Sequence, residues 1–156
     1  MTEHKKIIQD KLAAFEQACR TAGLKVTHQR IEIYRELAMA TDHPSAEGLY
    51  KRLHDRLPTL SLDTVYRTLS TFEELGLIKR VQTVESQTRF EAQMLQHHHL
   101  ICDRCNKIID FQWQGFDNIS IPEEVSRLGK VSSKNVILKG ICNECLQRQE
   151  VAAPVV

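Results

Sequence analysis

The sequence predicts an α+β chain in two parts, and three observations predict it. Amphipathic helical stripes fill the first half; a strand, loop and strand follow them; and beyond residue 91 two C-x-x-C pairs, Cys102/Cys105 and Cys142/Cys145, stand among strand-like segments, with His97-His98-His99 just upstream of the first pair. At 156 residues, 42% hydrophobic and 26% charged, the chain can bury an ordinary core, in one domain or two small ones. That balance excludes a disordered chain. No run approaches the roughly 18 apolar residues of a membrane span, and the charged N-terminus lacks the apolar core of a signal peptide. A cytoplasmic protein with no membrane partner is expected.

The elements follow in order. Ile8, Leu12, Phe15 and Cys19 form one stripe on a first helix, which Gly23 ends. Cys19 lies in that stripe and reads as a buried, inert thiol. Thr27 can cap a second helix running to about Ala40. Ser45 can cap a third, with Ala46, Leu49, Tyr50, Leu53 and Leu57 inward and Pro58 at its end. Ser61 caps a fourth, with Asp63 in the first turn, where a negative charge suits the helix dipole. Val65, Leu69, Phe72 and Leu75 make its buried stripe, leaving Thr64, Tyr66, Arg67, Thr68 and Ser70 on other faces. Gly76 closes it, and residues 77–81 and 87–91 read as two strands around a polar loop, 82–86. Three of these helices and a hairpin in that order describe a winged helix-turn-helix domain, residues 1–91.

Net charge is only +1, so nucleic-acid binding has to rest on local placement. Arg20, Lys25, Arg30 and Arg35 are opposed mainly by Glu32, and Lys51, Arg52 and Arg56 form a second basic group. On the fourth helix Arg67 can fork onto guanine, Tyr66 can pack on a thymine methyl or reach a phosphate, and Thr64 can fix register. Taken alone, that helix reads equally well as a solvated surface. The hairpin behind it favours double-stranded DNA, contacted by Thr64, Tyr66 and Arg67 with Lys25 and Arg30 in support.

Residues 92–156 read as a small α/β domain carrying metals. In a reducing compartment, paired C-x-x-C motifs act as metal ligands or redox switches rather than disulfides. Four thiolates, Cys102, Cys105, Cys142 and Cys145, suit a tetrahedral structural Zn²⁺. On a strand, His97 and His99 share a face and can converge on one ion, while His98 points away, toward solvent. Imidazole and carboxylate donors suit Fe²⁺, Mn²⁺ or a second Zn²⁺. Segments 107–113 and 133–138 read as strands, with a helix at 121–128 between them.

Several linked stretches carry a resemblance: Gly23 to Thr27 with Gln29-Arg30, His43 to Glu47, Ser61 to Leu69, Thr88 to Glu91, and the run from His97 through Asp110 to Cys145. With these, the chain resembles the ferric uptake regulator (Fur) superfamily, metal-dependent bacterial repressors that include peroxide-sensing PerR. The resemblance implies a winged-helix DNA-binding domain, a dimerisation domain with structural zinc, and a homodimer on a palindromic operator. It implies regulatory Fe²⁺ or Mn²⁺ on His43, Glu91, His97, His99 and Asp110, with His43 and His97 as the sites of metal-catalysed oxidation if peroxide is sensed. The compact run from Cys105 to Phe111 and the tail without histidines resemble the peroxide branch. Glu91 resembles the iron branch, since peroxide sensors typically carry Asp there. A PerR-like repressor is the expectation, with an iron-responsive Fur-type repressor as the alternative. Segment 131–136 lacks the histidine that completes an additional site in many relatives, so no complete third metal site is expected. An enzyme reading would make His97, His99 and a carboxylate a facial triad for oxygen chemistry; no cosubstrate pocket is evident in the sequence, and no enzyme is expected.

Overall fold

The computed structural model describes residues 3–83 and 87–152, so positions 84–86 of the expected wing loop lie outside the described residues. The chain divides into two compact units, Met1–Met94 and Leu95–Val156.

In the first unit, α1 (Glu3–Thr21), α2 (His28–Met39), α3 (Ala46–Leu53) and α4 (Leu62–Glu74) precede the antiparallel pair β1 (Lys79–Val81) and β2 (Arg89–Glu91). The starts of α2, α3 and α4 each have a local cause. Thr27, Ser45 and Ser61 hold extended backbone, and their hydroxyls accept from the N–H of Arg30, Gly48 and Thr64. Gly23 and Gly76, at φ +71° and +68°, take the left-handed turns after α1 and α4 that other residues resist. The stripes meet in one core: Phe15 stacks on Tyr34 at 4.2 Å between centroids and meets Phe72 edge-on at 5.0 Å. Cys19 lies inside this core, and burial pushes its thiol pKa up, as an inert thiol requires. Ser45 bridges Arg89, and the Phe90 N–H donates to the Pro44 carbonyl at 3.1 Å, fastening the loop before α3 to the wing.

Four expectations for this unit are corrected. The third helix stops at Leu53 rather than Pro58: the residue before a proline is driven out of helical backbone, so the chain unwinds through turns in which the Leu57 N–H donates to Leu53. Leu75, the cap residue of α4, has left the stripe and is exposed. Thr68 is buried, because it lies three residues after Val65 and four before Phe72 on the same face. The paired strands are shorter than 77–81 and 87–91.

The second unit is built on β3 (His98–Cys102), flanked by β4 (Ile108–Phe111) antiparallel and β5 (Ile137–Gly140) parallel, in the order β4-β3-β5. A parallel neighbour demands a long crossover, which runs through α5 (Gln114–Asp117) and α6 (Glu123–Leu128); α7 (Asn143–Ala152) follows β5. Strand β5 lies further along than the expected 133–138, since its register pairs Cys102 with Gly140. Pro122 takes the cap position of α6 and so starts that helix later than residue 121. No helix among the described residues is long and apolar enough to cross a membrane.

Candidate metal centres and nucleic-acid interface

The four sulfurs of Cys102, Cys105, Cys142 and Cys145 all lie within 4.8 Å of one another. Strand pairing brings them there. Cys102 ends β3 beside the end of β5, a tight turn with Asn106 at φ +58° returns Cys105, and Cys142 and Cys145 stand just before and in the first turn of α7. Asn tolerates that left-handed backbone well. The Cys142 N–H donates to Cys102 Sγ at 3.3 Å, and such backbone donors bring the Cys102 thiol down to about 6. Burial and the neighbouring sulfurs push Cys145 up to about 12. One thiolate is stabilised and a further one opposed, which is the charge problem a divalent cation resolves. Tetrahedral sulfur chemistry fits Zn²⁺.

The remaining predicted ligands form two groups, one in each unit. In the first, His43 Nε2 lies 3.2 Å from Glu91 Oε2, and both side chains are buried. His43 holds φ +50°, a conformation costly to a non-glycine residue and typical of positions where geometry serves function. In the second unit, His97 Nε2 and His99 Nε2 approach to 3.1 Å with Asp110 Oδ1 at 3.8 and 3.4 Å from them. The His97 Nδ1 lies 2.7 Å from the Leu95 carbonyl, which leaves Nε2 as its donor to an ion. Nitrogen and oxygen donors in this arrangement fit Fe²⁺ or Mn²⁺.

His98 departs from expectation. It points away from His97 and His99, as strand alternation requires, but that side is not solvent. Phe111 and Phe116 each pack on its ring at 5.4 Å, its Nδ1 accepts from the Val136 N–H at 3.1 Å, and Asp117 lies 3.3 Å from its Nε2.

On the first unit, α4 exposes Asp63, Tyr66, Arg67 and Ser70 along one face. Beside it lies a polar cleft of about 290 Å³ between α2 and α4, lined by Thr27, Gln29, Arg30, Thr64, Arg67, Thr68 and Thr71. Thr64, Arg67 and Arg30 therefore share one cleft. Lys25 is exposed and its carbonyl accepts from the Arg30 guanidinium, while Tyr66 stands apart, donating to Glu47 of α3. Gln29 and Thr71 were missed by sequence reasoning, although Thr71 lies seven residues after Thr64 and four after Arg67, the spacing of one helix face.

The profile of the ferric uptake regulator family matches residues 21–139. The chain belongs to the ferric uptake regulator family. Among its relatives, the peroxide operon regulator of Bacillus subtilis is 33% identical over 134 residues, spanning 85% of this chain and 92% of that protein. The peroxide-responsive repressor PerR of Staphylococcus epidermidis is 30% identical over 146 residues, 93% of this chain and 97% of its own. Among solved structures, the Helicobacter pylori ferric uptake regulator Fur, described as having three functional metal binding sites, matches with a TM-score of 0.73 at 28% identity over 89% of this chain and 93% of that one. PerR from Streptococcus pyogenes matches with a TM-score of 0.52 at 27% identity, covering 86% of this chain and 92% of its own. The resemblance read from the motifs and the α+β, Fur-type fold are both borne out.

Proposed function

We propose that this member of the ferric uptake regulator family is a PerR-like transcriptional repressor, not an enzyme, that acts in the cytoplasm as a homodimer on a palindromic operator. The observation that carries this reading is the division of the regulatory donors: His43 and Glu91 belong to the unit that bears α4, and His97, His99 and Asp110 belong to the zinc-bearing unit. A single Fe²⁺ or Mn²⁺ held by all five would tie a DNA-reading domain, residues 1–91, to a pairing domain, residues 92–156. The DNA-competent arrangement is then the one the ion selects, with two recognition helices meeting major-groove faces about 34 Å apart. Thr64, Tyr66 and Arg67 read and position the duplex, and Lys25 and Arg30 hold its backbone. Pairing is supported by the apolar side chains that the second unit exposes, among them Trp113, Val125, Leu128 and Leu138.

When bound, Fe²⁺ would supply the one-electron chemistry through which peroxide damages its own ligands. His43 and His97 would be the residues that gain oxygen, and repression would be relieved. A second reading, an iron-responsive repressor indifferent to peroxide, is favoured by Glu91. Its longer side chain reaches further into the coordination sphere than an aspartate and leaves less room for peroxide. Operator binding by the Fe²⁺ and Mn²⁺ forms, before and after peroxide, tests the proposal together with mass spectrometry of His43 and His97. Loss of binding in the iron form alone, with added oxygen, is expected. Unchanged binding in both forms selects the iron sensor, and binding that ignores removal of the regulatory metal overturns both readings.

A further inference from the structure

Tyr66 lies in the exposed face of α4, 43% accessible, and its hydroxyl is already in use: it donates to Glu47 Oε1, nineteen residues away in the first turn of α3. A tyrosine hydroxyl has a single proton to give. Placing a carboxylate against it also sets a negative charge where a phosphate would have to come, so a hydroxyl-to-phosphate contact would cost the internal bond and meet repulsion. The ring carries no such penalty. Glu47 itself is well placed to stay charged, because it lies at the positive end of α3. Its carboxyl is held below the usual range, chiefly by the Tyr66 bond, and the same bond raises the phenol of Tyr66. The platform beneath Glu47 is fixed by the Ser45 cap, which accepts from the Gly48 N–H at 3.1 Å, and by the Phe90-to-Pro44 bond. Arg67 is a contrast. It pairs with Asp63 at 2.9 Å, but these side chains are 81% and 71% exposed, so that pair is weak and the guanidinium can swing to a ligand.

We propose that Glu47 is the positioning residue for Tyr66 in DNA reading: it takes the phenolic proton's hydrogen bond and fixes the ring, so that Tyr66 meets DNA with its apolar ring and not with its hydroxyl. This rests on the reading of α4 as the recognition helix. The test uses the full-length Mn²⁺-loaded protein and a duplex that the wild-type protein selects from a randomised pool. Glu47→Ala should weaken binding to that duplex by about tenfold, the scale of one hydrogen bond to a charged group. Tyr66→Phe should weaken it similarly, and the double variant no further, while Glu47→Gln, which keeps an acceptor, should recover part of the loss. In the DNA-free protein, absorbance titration should show the Tyr66 phenol, identified by its absence in Tyr66→Phe, moving back toward the ordinary tyrosine range in Glu47→Ala. A Glu47 that served only the start of α3, without holding the Tyr66 hydroxyl, would not give that shift, and one that held it without serving DNA reading would give the shift with no loss of binding. Tighter binding by Glu47→Ala, additive losses in the double variant, or an unmoved phenol would overturn the inference. A wild-type protein that enriches no duplex sinks the repressor reading on which it rests; one that enriches a duplex which Glu47→Ala binds equally well sinks only this inference.

Discussion

Replacing one methylene tests which stimulus the regulatory donors serve. Glu91 is buried against His43, and Glu91→Asp draws the carboxylate back from His43. We expect the Fe²⁺ form of Glu91→Asp to lose operator binding faster than wild type at equal peroxide, read by fluorescence anisotropy. His43→Ala should leave one zinc per chain and weaken Mn²⁺ binding by more than about 100-fold, beyond what loss of an outer partner costs; metal titration and elemental analysis check both. At this scale the sequence was unevenly legible. The four cysteines could be grouped from spacing alone, and His97 with His99 from strand alternation. His43, Glu91 and Asp110 could not, because their neighbours in space are distant in the chain; only the resemblance pointed to them. His98 was misplaced because alternation says which way a side chain points, not what waits there, and here the aromatic side chains Phe111 and Phe116 cover it.

Helices were more legible than strands, for a physical reason. A hydroxyl cap, an apolar stripe and a closing glycine are all local signals, so the starts of α2, α3 and α4 follow from Thr27, Ser45 and Ser61. Ser61→Ala should cost the first unit about 1 kcal/mol through loss of the Thr64 N–H partner, measured by urea denaturation. Phe72→Ala, which removes a fully buried ring packed on Phe15 and Tyr34, should cost about 3–5 kcal/mol in the same measurement. Strand β5 was misread because its position is decided by the register against β3, a pairing with no local trace. The short helix α5 carries no capping side chain, and α7 opens on the metal-site sequence rather than on a stripe, so neither announced itself.

At the level of the whole chain, metal and fold are linked. Zinc needs thiolates, and backbone donors already bring the metal-free Cys102 thiol down to about 6, so protons compete with the ion for sulfur only in acid, below that value. A zinc-responsive dye should report release that grows as pH falls below about 6; release with no pH dependence would contradict the assignment. Binding must also strip the proton from Cys145, which is raised to about 12, so calorimetry in buffers of different ionisation enthalpy should register proton release. Chelation under reducing conditions should unfold the second unit and spare the core around Phe15, Tyr34 and Phe72, seen as partial loss of amide-exchange protection. The Cys102 and Cys142 sulfur ligands are forty residues apart and meet only once β5 has docked alongside β3. A newly made chain must therefore emerge past Cys145 before all four sulfurs can capture zinc. In a zinc-starved cell, surveillance proteases would thin out the regulator at birth, so the supply of one metal would set how many copies exist to report on another.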